Sequence, residues 1–262
     1  ELAVNKRTRA IIGAARLASR SADAVLYCSE GARRAHSGAG FSAAKSIVVE
    51  NGIDTARFHP GDLTKQAQRT VLGIAEPERP FILVPARYAP QKDHDGMLSA
   101  LRALKRVSSH WHAYLCGHDV HNGNTALTAL IAHHGLADDV TLMGNIKDMT
   151  PFMRAADIML MGSAYGEALP MVVLEAMASE TLVVSTDVGD IAHVLDGNGL
   201  LAPPRHADKL AGQLASALVM DTYALEHKLR NARIRVCNFF SKQQMFDGYA
   251  QIYRQLLLKS PH

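Results

Sequence analysis

Short, unbroken apolar runs alternate with amphipathic stretches through the middle of the chain. Phe81–Pro85, Trp111–Cys116, Val140–Met143, Asp157–Met161 and Leu182–Thr186 read as strands. Strands of a parallel sheet covered on both faces show such runs instead of alternation. Helical patterns separate them. One runs to Arg106, with Met97, Leu98, Leu101 and Leu104 as its inner stripe and Val107 just past its end. Others are Thr125–His134, stopped by Gly135, and Asp148–Ala155. Strand and helix alternate over short connections from Phe81 to Pro203. That pattern predicts an α/β fold, a Rossmann-like doubly wound parallel sheet. On the amino-terminal side a helix is expected over Leu2–Ser19, a strand over Ala24–Cys28, a helix capped by Ser29, and a strand over Ser46–Val49. Asp62–Arg79 reads as a polar loop with a weak helix. Ala207–Met220, Tyr223–Val236 and a last helix through Leu258 close the chain, the last with Phe246, Tyr249, Ile252, Tyr253 and Leu256 on one face.

The chemistry gathers behind two of these strands. After Met161 comes a small-residue loop holding Glu167, then Pro170, then a helix with Glu175. Proline suits the first helical turn, where its missing N–H would be unpaired anyway. The N–H groups after it lie at the positive end of the helix dipole and attract phosphate. A strand end followed by a helix start is where open α/β sheets hold ligands. Two acceptor-only carboxylates beside an anion site suit a ligand with phosphates and hydroxyls, such as a nucleotide sugar. Arg87 and Lys92 follow Phe81–Pro85 and could clamp a diphosphate, one as a fork and one as a mobile point charge; ordinary surface cations are the plainer reading. Asp93-His-Asp95 looks like a metal motif, but helix capping explains both aspartates. The histidines at 110, 112, 118, 121, 133 and 134 lack a His-x3-His on one helical face and read as scattered surface residues. Gly189 is expected to let the backbone turn near the cleft, and Asp187 to cap that turn.

Composition narrows little. The 262 residues are 48% apolar, enough for a full core in one large or two smaller domains. A net charge of +3 does not call for a nucleic-acid partner. Three widely spaced cysteines without Cys-x-x-Cys suit a reducing cytoplasm. No apolar run nears 18 residues and no signal peptide is seen. The chain opens on Glu1, which suggests a fragment or a processed chain. Lys6, Arg7, Arg9, Arg16 and Arg20 make the first helix basic. A solvated face is one reading, and a surface near an anionic membrane is the other.

The stretch from Glu167 to Ala178 resembles the Glu-x7-Glu motif of retaining GT-B glycosyltransferases, family 4 (glycosyl transferases group 1). Glu167, Leu169, Pro170, Leu174, Glu175, Ala176, Met177 and Ala178 fit it, and Arg87 and Lys92 match the family's Arg-x4-Lys. Asn51-Gly-Ile-Asp with Phe58-His-Pro60 is similar to the segment that joins its two domains, with Glu50 in place of a proline. Ser163 stands one place further upstream than the pattern asks, Ala168 replaces a glycine, and Glu180 stands where a glycine usually ends the helix. A left-handed residue there costs about 1 kcal/mol, so a different turn is expected at Glu180.

The resemblance implies a GT-B C-terminal domain with a remnant of the N-terminal domain. Residues 1–50 would be that remnant, 51–65 the linker, 66–238 the nucleotide-sugar-binding domain, and 239–262 a helix packing back on the remnant. It implies transfer of a hexose or N-acetylhexosamine, with retention, from an NDP-sugar (UDP favoured, GDP the rival) to a glycan or lipid-linked acceptor in surface polysaccharide synthesis. Arg87, Lys92 and Glu167 would be catalytic. Glu175, Ala168, Leu169, Met171, Val172, Asn145, Ile146 and Lys147 would bind the donor. No metal or other cofactor is expected. The protein would be cytoplasmic, with peripheral contact at the inner membrane face as an option. The alternatives are an inactive nucleotide-binding fragment, or another GT-B-like enzyme such as a sugar-nucleotide epimerase.

Overall fold

A computed structural model describes residues 6–259 of the chain. It divides into two compact units, Glu1–Gly52 with Lys242–His262, and Ile53–Ser241. In the first, helix α1 (Lys6–Ser21) precedes a small βαβ arrangement: strand β1 (Val25–Tyr27), helix α2 (Glu30–Gly38) and strand β2 (Ser46–Val48). The two strands pair in parallel, Val25 opposite Ser46. Ser29 caps α2, its Oγ accepting the Ala32 N–H at 3.1 Å. The start of the first helix expected at Leu2 lies outside the described residues. In α1, Arg7, Arg9, Arg16 and Arg20 are exposed, and so are Ile11, Ile12 and Leu17. The helix Lys242–Lys259 belongs to this unit, and the Gly52 N–H meets Met245 Sδ at 3.3 Å. Of its expected apolar face, Ile252 is buried, but Phe246 and Tyr253 are exposed.

The second unit is a six-stranded, all-parallel sheet. In chain order it contains α3 (Lys65–Val71), β3 (Phe81–Pro85), a 3-10 turn (Pro90–Lys92), α4 (His94–Lys105), β4 (His112–Cys116) and α5 (Thr125–His133). Then follow β5 (Val140–Leu142), α6 (Thr150–Ala155), β6 (Ile158–Met161), α7 (Met171–Ala178) and β7 (Leu182–Thr186). Helix α8 (Ile191–Leu195), β8 (Leu200–Ala202), α9 (Ala207–Leu218) and α10 (Thr222–Phe239) complete it. The strand order is β5-β4-β3-β6-β7-β8. The chain winds outward from β3 to one edge, then returns to β6 and winds to the other. The direction reverses between β3 and β6, paired at Ile82 and Ile158.

The apolar runs divide by pleat. Ile82 and Val84 of β3, Ile158 and Leu160 of β6, and Leu182 and Val184 of β7 join one core layer with α4, α5 and α9. Phe81, Leu83, Met159, Met161 and Val183 join the other, with α6, α7 and α10. Because both layers are covered, β3 and β6 are apolar throughout, and β7 is apolar until the buried Ser185 and Thr186 at its end. Ile53 and Phe58 are buried in the second layer too. Helix α8 and strand β8 are additions to the expected elements. Trp111 lies ahead of β4 and is fully buried, its indole N–H donating to Ser108 O at 2.7 Å.

One expectation fails at the end of α7. Glu180 does adopt the left-handed conformation, with φ of 54°. The Thr181 N–H bonds Ala176 O at 2.9 Å and the Glu180 N–H bonds Met177 O at 3.3 Å, the paired bonds of a Schellman motif. Lys65 Nζ adds a bond to Glu180 O at 3.3 Å. These bonds offset the backbone cost. Behind them, the fully buried Arg69 pairs with Asp157 and donates to Ala155 O and Pro77 O, each at 2.9 Å. Asp157 also accepts the Phe81 N–H at 2.8 Å, so α3 is fastened to the entries of β3 and β6.

Candidate functional site

Strands β3 and β6 end side by side at the reversal, and their following loops carry the expected charges. After β3, Arg87 is exposed and Lys92 closes the 3-10 turn. After β6, the loop from Gly162 to Pro170 brings Glu167 to Lys92, with Nζ to Oε1 at 2.5 Å. The two side chains are only 16% and 9% exposed, so this pair is shielded from solvent. Ser163 Oγ donates to the same carboxylate oxygen at 2.6 Å, and Gln91 Nε2 lies 3.4 Å from it. Charge-assisted bonds of this kind fix a carboxylate firmly. Oε1 therefore has three donors, and Oε2 has none among the described bonds. Thr186 Oγ1 holds the Ser163 carbonyl at 2.7 Å. Gly189 turns with φ of 64°, and a Cβ there would sit 2.1 Å from the Glu167 carbonyl oxygen.

Pro170 is the N-cap of α7, with extended backbone, and not a first-turn residue as expected. Its carbonyl accepts the Val173 N–H at 3.1 Å, while the N–H groups of Leu169, Met171 and Val172 find no acceptor among the described bonds. They remain a set of donors at the positive helix end. Ala168 uses its carbonyl for the Asp190 N–H at 3.2 Å. Glu175 is half-buried, and its carboxylate has no hydrogen-bond or ion-pair partner among those described. Burial pushes its carboxyl above the usual carboxylate range, with the Arg57 charge pulling partly the other way. The Cys116 thiol is pushed up to about 12, by burial first and by the Glu175 charge second.

Arg87, Cys116, Gly117, Asn145 and Ile146 line a cavity of about 230 Å³ beyond the ends of β3 and β4. Lys147 is exposed and is not among its walls. A larger cavity of about 620 Å³ shares the loop residues Gly162, Ala164 and Tyr165. None of Arg87, Lys92, Glu167 or Glu175 lines it, so the charges converge elsewhere. At its rim Asp93 caps α4 through the Gly96 N–H at 3.1 Å, and Asp95 meets His134 Nε2 at 2.7 Å. His134 is buried, unlike the surface histidine expected.

The model of the glycosyl transferases group 1 family matches residues 65–235. The chain belongs to this family. A lipopolysaccharide core biosynthesis mannosyltransferase of Rhizobium meliloti, LpsB, is 28% identical over 221 residues, covering 81% of the chain and 61% of the relative. An alpha-maltose-1-phosphate synthase of Mycobacterium tuberculosis is 30% identical over 224 residues, covering 80% and 56%. The chain spans about half to three-fifths of the curated relatives it matches. Among solved structures, a Rickettsia africae glycosyltransferase superposes with a TM-score of 0.82 at 22% identity, covering 98% of this chain and 69% of that one. Anabaena HepE, solved with UDP and glucose, gives 0.81 at 24% identity, covering 95% and 67%. The fold is that of these glycosyltransferases.

Within this group 1 chain, three contributors carry little sequence signal. Gln91, Ser163 and Thr186 act through hydrogen bonds within and between loops, which no periodicity announces. Ser163, displaced by one place from the family pattern, reaches Glu167 all the same.

Proposed function

We propose that the Ile53–Ser241 unit binds the donor of a retaining glycosyltransferase. In this reading residues 1–50 and the last helix are what remains of the acceptor-side domain. The enzyme moves a hexose or N-acetylhexosamine from an NDP-sugar, UDP before GDP, to a glycan or lipid-linked acceptor in surface polysaccharide synthesis. One observation carries the reading: at the reversal of the sheet, Lys92, Glu167 and the bare N-terminus of α7 meet within two adjacent loops. The solved Anabaena structure with UDP and glucose supports the choice of base.

The barrier is cleavage of the anomeric C–O bond. Charge grows on the departing phosphate oxygen as the sugar becomes oxocarbenium-like. Fixed positive groups there stabilise that state more than the ground state. Arg87, Lys92 and the N–H groups of Leu169, Met171 and Val172 fill this role. Glu167, with Oε1 saturated, offers Oε2 to a sugar hydroxyl. Glu175 takes the ribose hydroxyls, and Asn145 and Ile146, with Lys147 beside them, take the base. The leaving phosphate accepts the acceptor's proton, so no side chain serves as base and no metal is required.

No helix among the described residues is long and apolar enough to cross a membrane. The exposed arginines and apolar residues of α1 support peripheral contact with an anionic membrane, on its cytoplasmic face. Co-sedimentation with phosphatidylglycerol vesicles, lost on replacing those arginines, tests it.

Calorimetric titration with UDP and GDP, with and without magnesium, beside Glu175→Ala, tests the donor site. The expected result is preference for one nucleotide, weakened by the substitution and indifferent to magnesium. Equal affinity of wild type and variant sinks the assignment of Glu175.

A further inference from the structure

We propose that Gln91 is a positioning residue that locks Arg87 and the Glu167 loop into one rigid assembly. The inference rests on the donor-site reading for its consequence, but its geometry stands alone. Gln91 lies in the 3-10 turn between Arg87 and Lys92. Its side-chain oxygen accepts from Arg87 Nη2 at 3.0 Å. Its side-chain nitrogen donates to the Gly166 carbonyl at 2.9 Å and lies 3.4 Å from Glu167 Oε1. Its backbone carbonyl accepts the Ala164 N–H at 2.9 Å. The loop after β3 and the loop after β6 are therefore joined at several points through one residue.

Only an amide of this length meets both demands. Arginine can only donate and a backbone carbonyl can only accept, so the neighbours dictate which end of the amide faces which. Glutamate would lose the donor to Gly166, and lysine would lose the acceptor for Arg87. Arg87 is otherwise exposed, with a long side chain free to sample many rotamers. Gln91 holds it beside the position assigned to the diphosphate. The same amide holds the loop that aims Glu167.

The test compares Gln91→Met, close in volume but without either bond, with Ser163→Ala, which touches Glu167 and not Arg87. Calorimetry gives the affinities for UMP and UDP, or for GMP and GDP if the wild type prefers guanosine. Hydrogen exchange of the same proteins reads residues 162–169. Gln91→Met is expected to lower the diphosphate-over-monophosphate affinity ratio about fivefold, the worth of one ordinary hydrogen bond. It should also speed exchange in that loop alone. Ser163→Ala should leave the ratio unchanged. An unchanged ratio in Gln91→Met, or unchanged loop exchange, overturns the proposal. Equal weakening of both nucleotides with faster exchange throughout Ile53–Ser241 overturns it as well, since that marks a merely structural role. If the wild type binds no nucleotide, the donor-site reading fails, and the exchange result alone decides the lock.

Discussion

Gly189→Ala separates backbone strain from displacement of the site. At φ of 64° an added Cβ costs about 1–2 kcal/mol through left-handed sterics alone. The Cβ would also lie 2.1 Å from the Glu167 carbonyl oxygen, against the 3.4 Å at which ordinary contact begins. That carbonyl must withdraw by about 1.3 Å, well beyond the roughly 0.5 Å that a working constellation tolerates. If Glu167 accepts from a sugar hydroxyl as proposed, that charge-assisted bond, worth about 1.5–3 kcal/mol, would be lost, a drop in affinity of roughly 10- to 150-fold. Gly197→Ala supplies the control. Its φ is 77° and nothing lies within 4 Å of the added Cβ, so it carries the strain without the collision. Urea unfolding should show a loss of about 1–2 kcal/mol or more in both variants. Calorimetry with UDP-glucose should show the affinity loss in Gly189→Ala only. Equal donor affinity in the two variants would refute the argument that this turn sets Glu167.

Glu175→Gln should trade stability against binding. The raised carboxyl means that the fold holds its proton to higher pH than the unfolded chain does, so stability falls as pH climbs from about 4.5 through the folded value. The substitution should flatten that slope in urea titrations and weaken nucleotide affinity. Lys65 acts in the opposite sense, its ammonium lowered from 10.5 to about 8 chiefly by burial. The fold then holds fewer protons than the unfolded chain between those values, and stability should rise across pH 8 to 10.5 by at most about 3 kcal/mol. Lys65→Met should abolish that rise. Arg69→Met strands Asp157 and several carbonyls; because Asp157 is about a third exposed, a loss of about 3 kcal/mol is expected in urea unfolding, with nucleotide affinity unchanged.

The sheet was legible because burial on both faces leaves its central strands almost wholly apolar, with Ser185 and Thr186 at the end of β7 as the exceptions. Phe81–Pro85 can be bounded from its apolar run alone, and Leu182–Val184 marks the start of β7. Helix α8 and strand β8, at five and three residues, are too short to show a period. Glu180 was misjudged because its backbone cost is local, while the bonds that offset it come from Ala176, Met177 and Lys65. Lys92 and Glu167 could be named from an ordered motif, and the structure joins them. Gln91 could not be assigned a role, since a bond between residues some seventy-five positions apart depends on how two loops are presented, and the Ser163 bond to Glu167 depends on the path of an irregular loop. The buried Arg69 was hidden for a related reason: it stands in a polar stretch, and nothing in that pattern tells its charge from the exposed ones around it.

The outermost strands of the large sheet, β5 and β8, are each only three residues long. An open strand is a template on which a foreign chain can build, and its danger grows with its length. Here a would-be partner meets a ladder of three residues at either side. The longer and predominantly apolar strands, β3, β6 and β7, are enclosed between neighbours. The sheet thus keeps its most adhesive segments away from other molecules in a crowded solution.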